Sequence, residues 1–535
     1  MNCKSTNLPF RQTGFFSRVV LDYLDQSSSL RGFYEHDVNI EGIKKAIENR
    51  KAFPTDRSLL QTELSRQYKD IQSSERVSTN IQRLGETDTF TVCTAHQPGL
   101  FTGNLYFVYK ILHAIRLADF LSKQLPQYHF VPVFYMGCED ADLDELGHVH
   151  LDGQKLVWDT KQTGAVGRMN TRGIDKLIHL VEGQLGVHPY GKELADLLRR
   201  SYLESPNIQI ATFKLVNELF GDRGLVVLIP DNANLKRVMK PVFEEDLTSQ
   251  VPSNIVSQSV AALDKAGFKV QAQPREINLF YLKDNLRQRI IQNGTGYKVH
   301  DSQLRFSTEE LRTALENEPD VFSPNVILRG IFQETILPDV AFIGGGGELA
   351  YWLELKSLFE NYNVPFPVLI LRNSFLVIEK KWKDKMEKMG LTAEEIFKPE
   401  QELTSLLVKK ESANQLSLEQ HIQSAQKFYG DLKQLSGKVD VTLADHVGAL
   451  EATALKKLQT LEKKLLRAEK KNFADHLRQV SIIRQALFPN DSLQERVENF
   501  MPYYAKWGKE FFNIIYDHSE PLQDGFVVIS TDSSD

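Results

Sequence analysis

Two glycine-containing loops are the segments of this chain best suited to bind an anion. The first is HQPGLFTGN at residues 96–104 and the second is GGGG at residues 344–347; each lies between an apolar run and a helical pattern. A loop that opens a helix exposes backbone amides without partners, and the helix dipole adds partial positive charge there. Such a helix start binds phosphate. The two loops together predict that distant parts of the chain meet around one mononucleotide.

The first loop offers three side chains that can donate hydrogen bonds to phosphate, namely His96, Thr102 and Asn104. Gly99 and Gly103 let its backbone approach a ligand closely. A plain strand-to-helix turn, with Asn or Thr capping the helix, is an equally good interpretation of this loop alone, because glycine loops are weak signals.

The second loop leaves a surface without side chains on which an adenine ring can lie, with Gly345 and Gly346 as predicted contacts. Glu348 follows in the first turn of the next helix, where its carboxylate can accept hydrogen bonds from ribose hydroxyls. The alternative is that the glycines only allow tight packing of helix against sheet. The loop matches neither GxGxxG nor GxxxxGK(S/T), so the dinucleotide fingerprint and the ATPase P-loop are both absent.

An acidic stretch, CEDADLDELGHVH at residues 138–150, follows the second predicted strand of the core. Parallel sheets bind ligands at the carboxyl ends of their strands, so Glu139, Asp140, Asp142 and His148 are candidate substrate contacts, with the carboxylates binding an amine. A mononuclear zinc site needs three closely spaced ligands, which this stretch does not specify, and we assign no metal. The alternative is a solvated acidic loop.

A polar stripe marks the apolar segment SPNVILRGIFQETI, for which the pattern predicts a helix capped by Ser323 with Pro324 at its first position. Asn325, Arg329 and Gln333 are four residues apart and therefore share one face of that helix. Arg329 is suited to bind a carboxylate through two hydrogen bonds. A structural network beneath the glycine loop is the alternative for this stripe.

The elements that must position these residues alternate between buried strands and amphipathic helices. A strand, a helix and a second strand, with both strands apolar throughout, form the βαβ unit of a parallel sheet. Strands are predicted at residues 89–95, 129–137, 224–231 and 366–374, and a further strand is predicted at the start of PDVAFIGGGGELAYWLELKSLFENY, before its glycine loop. We therefore predict an α/β fold with a Rossmann-like parallel sheet core, connective inserts and a C-terminal α-helical coiled coil.

The predicted organisation has four parts. Residues 1–150 hold N-terminal helices and the first half of the core, 151–336 hold inserts with one returning core strand, 337–376 complete the core, and 377–535 form a helical C-terminal domain.

Apolar residues from Val447 to Ala468 alternate spacings of three and four, which is the seam of a coiled coil. The helix that carries this seam is predicted to run from about 441 to 485. Its partner is either an antiparallel stretch of the same chain, residues 403–436, or a second subunit. We expect a homodimer through the coiled coil.

Length and composition exclude several classes of protein. A chain of 535 residues is too long for one hydrophobic core. A net charge of -6 argues against a sequence-independent nucleic-acid binder. No apolar run approaches the roughly 20 residues of a membrane-spanning helix. Three cysteines argue against a disulfide framework and favour a reducing, cytoplasmic setting.

Several motifs, in order along most of the chain, together resemble one family. They are TAHQPGLFTGNLYFVYKI, VPVFYMGCEDADLDELGHV, SPNVILRGIFQETILPD, GGGGELAYWLELKSLF, the Arg372–Ser374 turn and LFPNDSLQER. The chain resembles the cysteine-adding ligases of bacillithiol biosynthesis, and its core is similar to that of class I aminoacyl-tRNA synthetases. Gly103 and Asn104 match the end of the first synthetase motif, although its first histidine is absent. Arg372 and Ser374 occupy the place of a mobile synthetase loop whose lysines have no match here.

The resemblance implies a ligase that adds cysteine to glucosaminyl malate, by ATP-dependent activation of the cysteine carboxylate and amide formation with the glucosamine amine. ATP with magnesium is the implied cofactor, and AMP and ADP both stay open as its product. The acidic stretch would bind one of the substrate amines, and Arg329 the malate. Two alternatives stay open, namely a non-catalytic coiled-coil scaffold with a degenerate nucleotide-binding fold and another ATP-dependent nucleotidyltransferase.

Overall fold

The core of the protein is a five-stranded parallel sheet. The computed structural model describes residues 3–412, 417–522 and 525–532. The core strands are β1 (Thr89–His96), β2 (His129–Met136), β3 (Val226–Leu228), β4 (Asp339–Gly344) and β5 (Val368–Leu371). They lie in the order β5-β4-β1-β2-β3, with every neighbouring pair parallel. This arrangement confirms the predicted α/β Rossmann-like core, and the direction of winding reverses between β1 and β4.

The strands are apolar along their length because both faces of the sheet are covered. The helix α1 (Tyr106–Gln124) joins β1 to β2, and its buried side chains include Leu112 and Leu121. Two apolar clusters enclose the sheet, and the smaller one combines α1 with residues of the helix Ile40–Ala52. Burial on both faces accounts for runs such as HFVPVFYM, which lack polar alternation.

The helix predicted to start at Ser323 begins later. Residues Phe322–Pro324 form a strand paired antiparallel with Leu279–Lys283, and the helix α2 covers Val326–Ile336. Asn325 is its N-cap, since the side-chain oxygen accepts a hydrogen bond from the Ile327 amide at 2.9 Å. The predictions of Ser323 as N-cap and Pro324 as first helical residue are therefore wrong. Asparagine caps helices as well as serine does, and the sheet takes the two residues before it.

The inserts form a second sheet and several helices. The five strands of this second sheet are Leu279–Lys283, Leu286–Asn293, Gly296–Val299, Arg305–Phe306 and Phe322–Pro324. A separate hairpin pairs His148–Leu151 with Gln154–Val157. Helices of this region are Leu143–Leu146, Ile174–Leu185, Gly191–Tyr202, Ile208–Phe220, Ala233–Arg237, Lys240–Thr248, Val251–Lys265 and Thr308–Asn317.

A three-stranded sheet joins the beginning of the chain to its C-terminal part. Phe526–Thr531 lies in the middle, antiparallel to Cys3–Leu8 and parallel to Ser374–Ile378. The remaining helices before the core are Phe10–Thr13, Arg18–Leu24, Ile40–Ala52, Arg57–Gln67 and Glu75–Arg83. After β4 come α3 (Gly346–Trp352) and Lys356–Tyr362, and after β5 come Lys380–Lys388, Glu400–Glu411, Ala474–Leu487, Met501–Trp507 and Lys509–Asp517.

The coiled coil is a hairpin within one chain. The helix α4 (Glu419–Gly437) packs along α5 (Val441–Lys470), and none of the residues of these two fully described helices is buried. The predicted helix from 441 to 485 is interrupted at Lys471–Phe473. Residues 413–416 of the predicted partner stretch lie outside the described part of the chain. Among the helices that the structure describes, none combines the length and the apolar character needed to cross a membrane.

Candidate active site

The two glycine-containing loops meet at one cavity of about 720 Å³. The cavity lies at the carboxyl ends of β1 and β4, where the winding of the sheet reverses and α/β proteins bind their ligands. His96 and Asn104 line it from the first loop, and Gly345–Gly347 with Glu348 line it from the second. The structure thus brings together the two segments that the sequence analysis places around one mononucleotide.

Nine of the predicted site residues line this cavity: His96, Asn104, Asp140, Asn325, Arg329, Gly345, Gly346, Glu348 and Arg372. Eight others do not: Gly99, Thr102, Gly103, Glu139, Asp142, His148, Gln333 and Ser374. The reasons why these eight residues do not line the cavity differ between the first loop, the acidic stretch, the polar stripe and the Arg372 turn.

The first loop turns part of its backbone inward, so two of its amides are not free for the predicted cradle. The Phe101 amide donates to the Tyr202 hydroxyl at 2.9 Å, and the Leu105 amide donates to the Glu498 carbonyl at 2.6 Å. Thr102 is buried, and its hydroxyl has no partner among the described residues. A Cβ on Gly99 would lie 3.3 Å from Gly103 Cα, so these glycines let the loop fold on itself.

His96 reaches the cavity as a neutral imidazole. Its ring contacts Tyr106 and Phe107, with centroid distances of 5.3 and 5.6 Å. Burial, with the positive charges of Lys110 and Arg372, holds the pKa of His96 well below its ordinary value. The histidine can therefore donate one hydrogen bond to an anion but brings no positive charge.

Glu348 forms an ion pair with Lys110, a residue that the sequence analysis did not select. Lys110 Nζ lies 2.6 Å from Glu348 Oε2, and the lysine also donates to the Ala95 carbonyl. The Gly345 amide donates to the same carboxylate at 2.7 Å. Lys110 is buried, whereas the Glu348 side chain keeps 24% of its surface exposed to the cavity. A lysine on the otherwise apolar face of α1 is the signal that would have found this pair.

Asp140 is surrounded by donors. Arg329 binds it through two nitrogens, one at 3.0 Å, Gln97 donates to it at 3.0 Å, and Arg287 lies 3.4 Å away. Burial disfavours the carboxylate, but Arg329 outweighs it, and the pKa of Asp140 falls to about 2. Both of its oxygens thus already accept hydrogen bonds, so the amine that the sequence analysis assigned to it would compete with Arg329 and Gln97. Arg287 was missed because it lies in the insert, far from any motif.

The other candidate residues of the stretch 138–150 make contacts within the fold. Glu139 is buried in an ion pair with Lys236 outside the cavity. Asp142 caps the helix Leu143–Leu146 by accepting from the Glu145 amide at 3.1 Å. His148 Nδ1 lies 2.8 Å from the Asp144 carbonyl oxygen. The carboxylates that do line the cavity with Asp140 are Glu145 and Glu348.

The polar stripe on α2 divides between the cavity and the core. Asn325 and Arg329 line the cavity, while Gln333 is buried and donates to Glu334 at 2.9 Å. Glu334 in turn pairs with the buried Arg50 at 2.6 Å. Gln333 therefore belongs to a structural network, which is the alternative that the sequence left open for the stripe.

Arg372 is held at the cavity wall by three neighbours. Its Nη2 donates to Glu495 at 2.7 Å, its Nη1 donates to the Ser374 hydroxyl at 3.0 Å, and its guanidinium lies 5.1 Å from the centre of the Tyr106 ring. Ser374 thus positions Arg372 from behind. Arg496 also lines the cavity, and no sequence argument selected it.

A group of possible metal ligands lies elsewhere. Glu86, Asp88 and His129 form the one cluster of three or more such side chains that we find in the described residues. They stand at the amino ends of β1 and β2, opposite the edge that carries the cavity.

Comparisons with known proteins assign the family. The family model described as bacillithiol biosynthesis BshC, N-terminal Rossmann-like domain, matches residues 1–373, and that of its C-terminal coiled-coil domain matches residues 375–531. The chain belongs to the BshC family. This confirms the resemblance on which the sequence analysis relied.

Two relatives in the BshC family cover nearly the whole chain. A Flavobacterium johnsoniae protein named "Putative cysteine ligase BshC" is 37% identical, over 98% of this chain and 99% of its own. A protein of the same name from Flavobacterium psychrophilum is 38% identical, over 98% of each chain. A solved "putative arginyl t-RNA synthetase" from Campylobacter jejuni, 11% identical, covers 79% of this chain and 99% of its own with a TM-score of 0.24, too low to support an argument.

Proposed function

We propose that the protein is an ATP-dependent ligase that joins cysteine to glucosaminyl malate through an amide bond. The observation that carries the proposal is the single cavity shared by the Asn104 loop and the Glu348 loop. The names of the two Flavobacterium relatives support cysteine ligation. In this reaction ATP supplies the group that activates the cysteine carboxylate, and magnesium shields its phosphates.

The second glycine loop fits a nucleotide base. Gly345, Gly346 and Gly347 all line the cavity, so the part of its surface that they form carries no side chains. We call this part the glycine floor. A Cβ at Gly345 would lie 3.4 Å from Glu348 Oε2 and 3.7 Å from Arg372 Nε. A base that lies on this floor would therefore bring its ribose to Glu348, whose partly exposed carboxylate can accept hydrogen bonds from the hydroxyls.

Positioning and charge, rather than a protein nucleophile, would accelerate the reaction. His96 and Asn104 would donate hydrogen bonds to the phosphates. Asn325 and Arg329 stand with Arg287 at the Asp140 side of the cavity, where the carboxylates of the malate part would be attracted. Glu145, rather than Glu139 or Asp140, would then accept the substrate amine.

The proposal is tested by incubating the protein with ATP, magnesium, cysteine and glucosaminyl malate. Mass spectrometry should detect the amide product, and chromatography should show whether AMP or ADP accumulates. Asn104→Ala and Glu348→Ala should each lower turnover by about tenfold or more, by analogy with the loss of a stabilising donor at a reacting centre. Asn293→Ala, at an exposed position of the insert sheet, is the matched control. Turnover at the wild-type level in both cavity variants would remove the site assignment.

A non-catalytic scaffold is the second candidate, and the inward hydrogen bonds of the first loop favour it. Such a protein would keep the fold without a working phosphate site. Titration calorimetry with ATP and magnesium separates the two functions, because the scaffold would give no binding heat.

We also propose that two copies associate through the hairpin of α4 and α5. Phe428, Leu435 and Val441 leave 58, 66 and 76% of their surfaces exposed, which is unusual for large apolar side chains on one element. All three cysteines are free thiols, two of them buried, which supports the proposed cytoplasmic setting.

A further inference from the structure

The turn Gln494–Arg496 is fixed to the strand Ser374–Ile378 by its first two residues. Gln494 accepts a hydrogen bond from the Val377 amide at 2.9 Å and donates to the Val377 carbonyl at 3.2 Å. Glu495, fully buried, accepts one from Arg372 at 2.7 Å. The third residue, Arg496, is left to point into the cavity.

The residues that follow hold the same segment against the first loop. The Glu498 carbonyl accepts from the Leu105 amide, and Asn499 Nδ2 donates to the Phe101 carbonyl at 2.9 Å. Arg496 is therefore anchored between the start of α1 and the Arg372 turn. Its position is built by the fold, although its own side chain is exposed.

The charges around the cavity leave one guanidinium without a counter-charge. Arg287 and Arg329 share Asp140, and Arg372 is paired with Glu495. Arg496 has no carboxylate within 4.0 Å among residues 3–412, 417–522 and 525–532. An unpaired arginine in a concave site attracts oxyanions and can bind them through two parallel hydrogen bonds.

The surroundings of Arg496 indicate which oxyanion it meets. Arg496 directly follows Glu495, which holds Arg372, and the guanidinium of Arg372 lies 5.1 Å from the centre of the Tyr106 ring. Tyr106 begins α1, and the Arg372 side chain that lies over its ring has its Nε 3.7 Å from where a Cβ on Gly345 would lie, so Tyr106 stands beside the glycine floor. Arg287 and Arg329 belong to the Asp140 side instead. The phosphate chain of a nucleotide lying on the glycine floor would extend along the Tyr106 wall.

We propose that Arg496 binds the phosphate chain of the nucleotide, as the cation that the C-terminal part of the chain contributes to the cavity. This inference rests on the proposed function for its ligand. The motif LFPNDSLQER, which has no role in the sequence analysis, would then supply one residue that binds the ligand.

The test is titration calorimetry with magnesium and ATP on the full chain, in wild type, Arg496→Gln and Arg496→Lys. Arg496→Gln should raise the Kd for ATP about tenfold or more, since charge-assisted hydrogen bonds to phosphate are lost. The Kd of Arg496→Lys should lie between those of wild type and Arg496→Gln, because lysine keeps the charge but not the planar guanidinium. Binding of glucosaminyl malate should change less than about twofold in both variants. Arg305→Gln, an exposed arginine of the insert sheet, is the matched control.

Each other outcome decides against the inference. If wild type binds ATP and Arg496→Gln binds it equally well, the inference is wrong while the proposed function stands. If Arg496→Gln weakens only glucosaminyl malate, the arginine serves the carboxylates and not the phosphates. If wild type shows no ATP binding, the nucleotide part of the proposed function fails together with the inference. Thermal unfolding of each variant checks that it is folded. If Arg496→Gln is unstable, the Kd of Arg496→Lys for ATP decides the inference instead.

Discussion

At the scale of single residues, Asp140 balances the charge of the cavity. Its carboxylate faces Arg329 and Arg287 at once, and Gln97 completes its shell. Two neighbouring guanidinium groups would repel each other without it. Asp140 therefore matters for the stability of the site more than for contact with a substrate.

Asp140→Asn should lower the free energy of unfolding at pH 7 by about 3 kcal/mol, because it leaves both arginines without their counter-charge. The pKa of Asp140 is about 2 in the folded protein against an ordinary 3.8. A lowered folded-state pKa stabilises the protein above the unfolded value, and this contribution, about 2 kcal/mol, is lost as the pH falls from 3.8 through 2. Urea unfolding between pH 5 and pH 2 should therefore show a steeper loss in wild type than in the variant. An equal loss of unfolding free energy in wild type and in Asp140→Asn would contradict this prediction. Asp144→Asn, at an exposed position, is the control.

The Lys110–Glu348 pair should depend on both partners. Lys110→Met leaves Glu348 without its cation and the Ala95 carbonyl without its donor, so unfolding should cost about 3 kcal/mol less. Adding Glu348→Gln should recover most of that loss, because no unpaired carboxylate then stays at the cavity wall. Urea unfolding of the two single variants and the double variant measures the coupling. Lys123→Met, exposed on the same helix, should change stability by under about 0.5 kcal/mol. A double variant no more stable than Lys110→Met would refute the pairing.

At the scale of elements, the first loop depends on a distant segment. Phe101, Thr102 and Gly103 have φ values of 48°, 72° and 70°, three consecutive residues in the left-handed half of backbone space. Thr102 is β-branched, so this conformation is strained and must be imposed by its surroundings. Asn499 imposes it by donating to two carbonyls of the loop.

Asn499→Ala should therefore release the loop. The buried Phe101 carbonyl and the half-buried Gly103 carbonyl lose their donor, and the free energy of unfolding should fall by about 2 kcal/mol. Hydrogen exchange at the Leu105 amide, which bonds to the Glu498 carbonyl, should become faster by more than the global change explains. Asn293→Ala serves as the control. Unchanged exchange at Leu105 would show that Asn499 does not hold the loop.

This dependence explains what the sequence could and could not predict. The core strands were predictable because burial on both faces produces runs such as TFTVCTA and HFVPVFYM. The meeting of Asn104 and Glu348 followed from the rule for carboxyl ends of parallel strands. The inward turn of the first loop was not predictable, since Asn499 lies almost 400 positions later. Arg287 and Asp140 likewise meet only through the packing of the insert on the core.

At the scale of the whole molecule, the hairpin of α4 and α5 and the terminal sheet contribute differently. The hairpin buries no residue of its own, whereas Phe526–Thr531 is the central strand of three. The hairpin is thus expected to serve association, and the strand to serve folding.

Replacing residues 419–461 by a short Gly-Ser linker should leave the melting temperature within about 3 °C of wild type, because the core loses no buried contact. Sedimentation should show a monomer in place of the proposed dimer. A chain lacking residues 526–532 should instead melt far lower, since it leaves Cys3–Leu8 and Ser374–Ile378 without their shared neighbour. Equal destabilisation by both deletions would contradict this division.

The clamp formed by residues 494–499 also has a consequence for synthesis on the ribosome. The whole parallel sheet is translated before Arg496 and Asn499 exist. At elongation rates of about 5–20 residues per second, the nascent chain would wait on the order of ten seconds with the proposed phosphate-binding surface incomplete and the strained Thr102 turn unsupported. If the cavity binds ATP as proposed, a newly made sheet should therefore fold early yet bind the nucleotide only after residues 494–499 have been made.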